Sequence, residues 1–542
     1  MTGRAATGTL NLEWAAENHR AHVVAGHSSA LSRVDEVPWL LSRRSMAAVS
    51  HVVRLFECDC GVSADEFQQT RTDCGPETRI EQAVLWQSRL DDQWHYFFNT
   101  ESSQGVVLLN RLGFDVWTAF EHARTKEDAR ASLGDTGVAF VDALLDHGLL
   151  QYEGSQTRLV KRRDTVLQAW LHVTNQCNLR CSYCYVAKSA EAMSEDTGMA
   201  AVDAVFRAAE QGGFQGIKLK FAGGEASLNA GRVLAMHDYA KERANAQGLA
   251  LASVILSNGA RLEPRLVAEL ASREIHVSIS LDAIGDAHDQ QRRFLSGRGS
   301  SQRVVATIDQ LVAAGLQPSI AITLTEHNTE SLAETVEFIL SRNLMFTISF
   351  VRDNEQISDY DALRLREQRL MAALDSVFDR IETMLPSYSL LGVLDRASLE
   401  APHAKTCGVG ESYIVIDQQG KIASCHMDLA KPVGDVKSAK LLPLIAQPPS
   451  GLRNLPVEEK EGCKSCAWRY WCTGGCPKMT YRATGRHDIK SPFCSIYKAS
   501  FPRLLRLEAL RLLKHGPFAG QHNVAENGSP RAGGQPRNGS GA

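Results

Sequence analysis

Three cysteines in one short segment could support the most distinctive chemistry in this chain. They lie in the run Cys177-Asn-Leu-Arg-Cys181-Ser-Tyr-Cys184, and thiolates are soft donors that suit iron and zinc. The spacing lets one loop hold three corners of an iron–sulfur cube, which leaves the fourth iron without a protein ligand. Such an open metal position is typical of a site that binds a reactant. A structural zinc ion is the alternative, but the nearest candidate for its fourth ligand, His172, lies inside a predicted strand.

Seven further cysteines form a second region with metal-ligand spacing. They are Cys407, Cys425, Cys463, Cys466, Cys472, Cys476 and Cys494. Because disulfides are rare in a reducing compartment, metal ligation or catalysis is the better explanation for a chain with 13 cysteines. A zinc ribbon built from four of the seven is the alternative. The remaining three, Cys58, Cys60 and Cys74, match no closed metal pattern. We expect free thiols or a structural role there, unless one of them supplies a missing ligand through space.

Six predicted strands alternate with helices and must position the first cysteine segment. The strands are 170–173, 217–221, 253–256, 276–281, 320–324 and 345–350. The helices between them are 197–209, 231–244, 263–272, 304–314 and 332–342. Successive βα units require a parallel sheet with right-handed crossovers. The sequence therefore predicts an α/β fold, either a partial (β/α)6 TIM-like barrel or a doubly wound sheet. We expect the interior of a barrel to be filled by Val, Ile and Leu.

Cysteine, glycine and polar residues stand at the carboxyl ends of these strands. In both architectures the chemistry is found at that edge of the sheet. The residues concerned are Cys177, Gly223-Gly224-Glu225, Ser257-Asn258-Gly259 and Asp282. The sequence therefore predicts that they meet in one site.

Composition describes an ordinary globular chain and excludes several function classes. Of its 542 residues, 59 are Lys or Arg and 62 are Asp or Glu, which gives a net charge of −3. This balance argues against a surface devoted to nucleic acid or to anionic membranes. No apolar run is long enough to span a bilayer, and no signal peptide is visible at the N-terminus. We expect a cytoplasmic protein.

The chain divides into six predicted segments. Residues 1–80 form an unassigned extension, and 81–155 have the pattern of a small winged helix. The predicted barrel covers 165–355, and a helical linker covers 356–400. The second cysteine region covers 401–515, and 516–542 are rich in Gly, Asn, Pro and Ser, which predicts a disordered tail.

The first cysteine segment, with Tyr183 before its last cysteine, resembles the motif of the radical S-adenosylmethionine (radical SAM) superfamily. The resemblance extends over about 190 residues of strand ends. Gly223-Gly224-Glu225 is similar to the family segment that holds the methionine amino group of SAM, although Ala226 stands where the family usually has proline. Ser257-Asn258-Gly259 resembles the segment near the SAM ribose, and Ser280-Leu-Asp282 resembles the next strand end.

The resemblance implies a catalytic centre and its cofactors. Cys177, Cys181 and Cys184 would hold a [4Fe–4S] cluster whose open iron is chelated by SAM. SAM would be bound by Tyr183, Gly223, Gly224, Glu225, Ser257, Asn258 and Ser280. One electron from the cluster would cleave SAM to methionine and a 5′-deoxyadenosyl radical, which removes hydrogen from an unactivated C–H bond. Asp282 would bind SAM or substrate, or would cap a turn.

The second cysteine region resembles the SPASM domain, which carries auxiliary [4Fe–4S] clusters on radical SAM enzymes that modify peptides. By analogy, Cys463, Cys466, Cys472 and Cys494 would close one cluster. Cys407, Cys425 and Cys476 would hold the other, with one iron left over. Sulfatase-maturing enzymes are similar but have a further cysteine shortly after the first, where this chain has none. The vacant iron is open to water, a nearby side chain or a substrate group.

The segment 83–152 resembles the RiPP recognition element (PqqD-like), a small peptide-binding domain. The matching parts are residues 105–110, the helix from Phe114 and residues 144–149. A DNA-binding winged helix is the alternative. Five basic residues against ten acidic ones give this segment a net charge of about −5, which would repel phosphates. A leader peptide could instead add to the sheet edge as an extra strand.

These observations predict a radical SAM/SPASM peptide maturase that forms a thioether or a carbon–carbon crosslink in a ribosomally made precursor peptide. Its partners would be that peptide and an electron donor such as flavodoxin or ferredoxin, with neither nucleic acid nor membrane. Oxidation of a Cys or Ser side chain, as in sulfatase maturases, is the second hypothesis. A non-catalytic iron–sulfur electron carrier or sensor, including a DNA-binding regulator, is the third.

Overall fold

The computed structural model describes residues 21–25, 37–43, 65–70, 75, 77–446 and 452–516. Cys58, Cys60 and Cys74 lie outside the described residues, as does the predicted disordered tail from residue 517 onward. The expectations about them stay predictions.

Strands and helices alternate through the middle of the chain and are mixed with turns at both ends. The strands of the described residues are β1 (Ala21–Ala25), β2 (Trp39–Arg43), β3 (Glu66–Thr70), β4 (Ile80–Gln82), β5 (Trp86–Arg89), β6 (Trp94–Phe98), β7 (Val106–Asn110), β8 (Leu150–Tyr152), β9 (Gln156–Val160), β10 (Val166–His172), β11 (Leu179–Cys181), β12 (Gly216–Ala222), β13 (Ala250–Ser257), β14 (His276–Ser280), β15 (Arg292–Phe294), β16 (Ser319–Leu324), β17 (Phe346–Phe350), β18 (Tyr413–Ile416), β19 (Lys421–Ala423) and β20 (Gly434–Asp435). The α-helices are α1 (Arg111–Thr118), α2 (Lys126–Asp146), α3 (Glu195–Gly212), α4 (Ala230–Gln247), α5 (Pro264–Ser272), α6 (Asp286–Gln291), α7 (Ser301–Ala313), α8 (Leu332–Leu340), α9 (Tyr360–Leu363), α10 (Glu367–Thr383), α11 (Leu441–Ala446), α12 (Arg469–Cys472), α13 (Pro477–Thr484) and α14 (Cys494–His515).

Six parallel strands form the predicted partial barrel. They lie side by side in chain order, β10-β12-β13-β14-β16-β17, and every neighbouring pair is parallel. The order never reverses, so right-handed crossovers keep the helices on one face, as in a barrel and not in a doubly wound sheet. Local signals set the crossover helices: Ser194 caps the start of α3, and Gly213 ends it in a left-handed conformation.

The barrel interior is polar, so the expectation of a Val, Ile and Leu filling was wrong. Side chains alternate along each strand. On β10, Leu167, Ala169 and Leu171 belong to the large hydrophobic core that includes the crossover helices. The alternate positions on the strands therefore point inward. Most of them are polar, among them Gln168, His172, Lys218, Lys220, His276, Ser278 and Ser280, whereas Trp170, Val254 and Leu256 are apolar exceptions. Each strand buries its apolar side chains on the face that the helices cover. The inner face is therefore available for a site.

The second cysteine region is joined to the barrel by one continuous sheet. Strand β18 pairs in parallel with β10, and β19 and β20 extend the sheet with antiparallel pairing. At the other end of the region, α14 packs on α10 and on strands β2, β6 and β7. The C-terminal segment therefore contacts both the barrel helices and the N-terminal sheet.

The N-terminal sheet has the order β1-β2-β7-β6-β5, is antiparallel throughout and carries α1 and α2. The sequence assigned no element to residues 1–80, yet β1, β2 and β3 lie there. Strand β2 was not predicted because its apolar run, Trp39-Leu-Leu41, is too short to show a period.

The segment 356–400 is helical only in part. It contains α9 and α10, and the helix ends at Thr383. Residues 384–400 form turns, since Pro386 cannot continue a helix and Gly392 favours a turn. The helical linker predicted for the whole segment is therefore too long. Among the described residues, no helix combines the length and the hydropathy that a membrane span requires.

Candidate functional site

The first cysteine segment follows β10 and is fixed by a small two-stranded sheet. Strand β11 pairs with β15, and Cys181 stands opposite Arg292 in that register. The Lys188 ammonium group donates to the carbonyl of Leu179. The amide of Leu179 approaches the Cys177 sulfur at 3.4 Å. The loop that carries the three thiols is therefore held at both its centre and its end.

The glycine pair lets the end of β12 touch the loop that leads to the first cysteine. The Gly224 amide donates to the Thr174 carbonyl at 2.7 Å, and the Glu225 amide donates to the Gln176 carbonyl at 2.8 Å. A Cβ on Gly223 would lie 2.4 Å from the Thr174 oxygen, and one on Gly224 would lie 2.3 Å from the Gln176 oxygen. No residue with a side chain fits either position without moving the loop.

Glu225 ties three strand ends together. Its carboxylate accepts from the Ser257 hydroxyl at 2.8 Å and from the Asn258 amide at 2.7 Å. The Asn258 side chain in turn donates to the Asn178 side chain at 2.8 Å and lies 3.8 Å from the Cys177 sulfur. The predicted ribose-side segment and the cysteine loop are thus in direct contact.

One cavity of about 220 Å³ brings the predicted residues together at the carboxyl ends of the strands. The predicted residues on its wall are Cys177, Cys181, Tyr183, Cys184, Gly223, Gly224, Glu225, Ser257, Asn258 and Ser280. The cavity is also lined by residues that sequence reasoning missed, namely Arg292, Arg352, Arg396, His426 and Met427. These residues come from distant parts of the chain, and no local sequence pattern predicts that they line the cavity.

Asp282 lies behind this cavity and not on its wall. The side chain is fully buried and accepts from the Tyr183 hydroxyl, the Gln291 amide at 2.9 Å and the Thr323 backbone at 2.9 Å. Arg292 donates to the same Tyr183 hydroxyl and lies 3.7 Å from the Asp282 carboxylate. The carboxylate therefore holds the tyrosine and the arginine that do face the cavity.

Burial governs the protonation of the three thiols. It raises the pKa of Cys177, and it raises the pKa of Cys181 to about 11, although the Arg292 guanidinium acts in the opposite direction on Cys181. Cys184 acts on both thiols as a nearby negative charge. Metal ligands must be deprotonated, so metal binding at this loop would release protons.

The seven C-terminal cysteines lie in two groups. Cys463, Cys466, Cys472 and Cys494 line one small cavity at the start of α14. Cys407, Cys425 and Cys476 form the other group, in which burial raises the pKa of Cys425 to about 12 and the two neighbouring thiolates add to that effect. Lys460 lies between the groups: burial lowers the pKa of this ammonium, and thiolates of both groups oppose the change.

Cys476 links the second group to the barrel cavity. Burial disfavours its thiolate, but the Arg352 and Arg396 guanidinium groups outweigh burial and lower the pKa of the thiol below its usual value. Arg352 is itself held by Asp395 at 2.6 Å and by the Phe350 carbonyl at 2.9 Å. Both arginines line the cavity, so one wall of the cavity adjoins this cysteine group.

The residues present fit an iron–sulfur cluster with a nucleotide beside it. The side chain of Arg292 lines the cavity, and its buried Nε–H has no hydrogen-bond partner among the described residues. A bound group with an acceptor such as a carboxylate would satisfy this donor. Within the described ranges, no three His, Cys, Asp or Glu side chains converge closely enough for a single metal ion. In a cubane cluster each thiolate binds a different iron, so the sulfurs need not converge on one point.

Comparisons with known proteins place the barrel region in a family. Residues 171–339 match the radical SAM superfamily. The sporulation killing factor maturation protein SkfB of Bacillus subtilis (strain 168) is 30% identical over 169 residues, which cover 31% of this chain and 38% of SkfB. The antilisterial bacteriocin subtilosin biosynthesis protein AlbA of the same organism is 25% identical over 273 residues, which cover 48% of this chain and 55% of AlbA.

Solved structures share the fold. Native anSMEcpe with bound AdoMet and Cp18Cys peptide has a TM-score of 0.51 and 18% identity, and the match covers 64% of this chain and 99% of that one. The two curated relatives are matched over only about half of their length or less. Residues 171–339 are therefore a radical SAM domain.

Proposed function

We propose that the protein is a radical SAM peptide maturase with two auxiliary clusters. One observation carries the proposal: residues from the cysteine loop and from three further strand ends line a single cavity, and Arg352 and Arg396 on the same cavity adjoin Cys476 of the second cysteine group. A peptide side chain placed in this cavity would lie between a site for SAM and an auxiliary cluster. The match to two proteins named for bacteriocin biosynthesis and killing-factor maturation supports a peptide substrate.

In this proposal Cys177, Cys181 and Cys184 hold the first [4Fe–4S] cluster. When bound and reduced, it supplies the electron that cleaves SAM to methionine and a 5′-deoxyadenosyl radical. The backbone of Gly223 and Gly224, which lines the cavity, would receive the methionine end of SAM. Arg292, which lines the cavity, would bind the SAM carboxylate, and Asp282 would hold Arg292 and Tyr183 in position.

The other segments take the roles predicted for them. Residues 401–515 would act as a SPASM domain, with Cys463, Cys466, Cys472 and Cys494 closing one auxiliary cluster and the other three cysteines holding the second. Residues 81–155 would recognise the leader of the precursor peptide, and 165–355 would carry the chemistry. The electron donor would be a flavodoxin or ferredoxin. A reducing compartment such as the cytoplasm suits this set of thiolate ligands.

Anaerobic reconstitution and cysteine replacement test the proposal. The reconstituted protein should contain about 12 iron atoms, as expected for three cubane clusters, and should convert SAM to 5′-deoxyadenosine under strong reductant. The triple variant C177A/C181A/C184A should lose about 4 iron atoms and all SAM cleavage. The matched triple variant C407A/C425A/C476A should lose as much iron but retain cleavage. Cleavage that persists in the first variant, or zinc in place of iron, would contradict the proposal.

The product distinguishes the proposed crosslink from side-chain oxidation. After incubation with a precursor peptide, a thioether or carbon–carbon crosslink removes two hydrogens and leaves no carbonyl. Oxidation of a Cys or Ser side chain produces an aldehyde that reacts with a hydrazide probe. Mass spectrometry with and without the probe therefore separates the two outcomes, and SAM cleavage without any peptide change would favour neither.

A further inference from the structure

The edge of the N-terminal sheet that a peptide would extend is already covered by the chain itself. Strand β7 pairs with β6 on one side and with β2 on the other. In the β2–β7 register, Leu40 stands opposite Leu109, and Ser42 stands opposite Val107. Residues 37–43, here called the N-terminal segment, therefore occupy the place of an added strand in antiparallel orientation.

The groove that holds this segment is built for an extended chain. The Asn110 side chain accepts from the Trp39 amide at 2.8 Å and donates to the Val37 carbonyl at 2.9 Å. A Cβ on Gly113 would lie 3.0 Å from the Trp39 carbonyl, so α1 approaches the segment closely. Because the Asn110 amide bonds a backbone N–H and a backbone carbonyl of the segment, it recognises an extended backbone and not a particular side chain.

The groove also contains side-chain pockets on both faces of the strand. Leu40 is fully buried in the core formed with α1 and α2. Trp39 and Leu41 face the other way and are buried in the large core that includes α14. An occupant therefore needs one apolar side chain for the α1 and α2 face and two for the α14 face.

The segment fills one position poorly. Ser42 is fully buried, and its hydroxyl has no hydrogen-bond partner among the described residues. It lies on the same face as Leu40, because alternate residues of a strand share a face. A buried hydroxyl without a partner weakens binding, so a strand with an aliphatic side chain at this position would bind more tightly.

We propose that this groove, between β7 and α1, is a peptide-binding site that the N-terminal segment fills in cis, and that a substrate peptide enters it by strand exchange. The occupant is an extended peptide segment with apolar residues at the positions of Trp39, Leu40 and Leu41 and an aliphatic residue at that of Ser42. Strand β1 pairs with β2 along its whole length, so β1 would leave together with the segment, while β5, β6 and β7 stay paired. The inference rests on the proposed function in one respect, namely that the entering peptide is the precursor.

A fluorescent peptide with the sequence of residues 36–44 tests the exchange by anisotropy. In the full-length L40D variant, the charge would expel the segment, and the peptide should bind at least about tenfold more tightly than to the unmodified protein, since a tethered strand acts as a competitor at high effective concentration. A peptide with valine in place of the serine should bind about tenfold more tightly still. V84D, at a largely exposed position of the same region, is the matched control and should bind like the unmodified protein.

Hydrogen exchange on the unmodified protein covers the case in which L40D does not fold. Amides of residues 40–42 should exchange through an opening that leaves those of β6 protected. Exchange of both strands only in a common global unfolding would overturn the inference, as would a folded L40D variant that binds no peptide. SAM cleavage measured on the same samples tests the proposed function separately, because it needs no peptide in the groove.

Discussion

At the scale of single residues, the site depends on backbone contacts that side chains would prevent. The Gly223-Gly224 turn lies against residues 174–176, and two amide hydrogen bonds hold it there. The cysteine loop therefore takes its position from β12 as well as from its own strand. Glycine at these positions is explained by the close approach of two backbones.

Replacing Gly224 by alanine should displace the cysteine loop. The new methyl carbon would meet the Gln176 carbonyl at 2.3 Å, and relief of such overpacking typically costs about 1–3 kcal/mol. We expect iron binding at the first site and SAM cleavage to fall by at least about tenfold. Gly231→Ala, where nothing lies within 4 Å of the added carbon, is the control and should keep both. Equal activity of the two variants would show that the turn does not position the loop.

At the scale of elements, Asn110 performs two tasks at once. Its side chain accepts from the Gly113 amide at 2.9 Å and so caps α1. It also holds the N-terminal segment through the Trp39 amide and the Val37 carbonyl. One residue therefore couples the start of a helix to the pairing of a distant strand.

Asn110→Ala should lower stability by more than the loss of a helix cap. Removing a cap typically costs about 1 kcal/mol, and the buried Trp39 amide would lose its acceptor, which adds about 1–3 kcal/mol. Thr125→Ala removes the cap of α2, an exposed hydrogen bond to the Asp128 amide, so it serves as the control. Urea unfolding should give a clearly larger loss for Asn110→Ala. Equal losses would mean that the clamp on β2 contributes nothing.

At the scale of the whole molecule, three buried histidines couple the fold to pH. His172, His288 and His403 are at most 1% exposed. Burial lowers the pKa of each to about 4, although hydrogen bonds or nearby charges partly oppose it. They are neutral in the folded protein at pH 5, whereas an unfolded histidine with a pKa of about 6.5 is protonated there.

Acidification should therefore destabilise the protein between about pH 6.5 and pH 4. The unfolded state binds more protons in this window, so stability rises with pH through it and is fully present above the unfolded pKa. At pH 5 each histidine lowers the free energy of unfolding by about 1–2 kcal/mol relative to pH 7. Thermal unfolding at pH 7 and pH 5 should show the loss. His403→Gln should reduce the pH dependence, while His122→Gln, at an exposed position, should leave it unchanged. A midpoint independent of pH would contradict the assignment.

Long-range contacts also join the N-terminal sheet to the second cysteine region. The Trp471 indole donates to the Thr100 carbonyl at 3.0 Å, and the Trp471 ring packs edge-on against Phe98. Since Trp471 precedes Cys472, the sheet that carries the proposed peptide groove lies directly against a cysteine group.

The sequence by itself determined a parallel sheet of βα units and most of the site at its edge, whereas the strand order decided between a barrel and a doubly wound sheet. Short-range signals were sufficient, because alternating apolar runs define strands and helices, and a parallel sheet brings the carboxyl ends of its strands to one edge. Cys177, Gly224 and Asn258 are therefore assigned to one site by the sequence alone. The polar inner face was not foreseen, since a buried strand pattern does not say which face the helices cover.

Tertiary structure decided what depends on contacts between distant segments. Arg292 faces Cys181 only because β15 pairs with β11, and Arg352 reaches Cys476 from more than one hundred residues away in sequence. Strand β2 covers the β7 edge although more than sixty residues separate the two in the chain. Such pairings are selected by burial and hydrogen bonding in the assembled molecule, and these forces leave no periodic pattern in the local sequence.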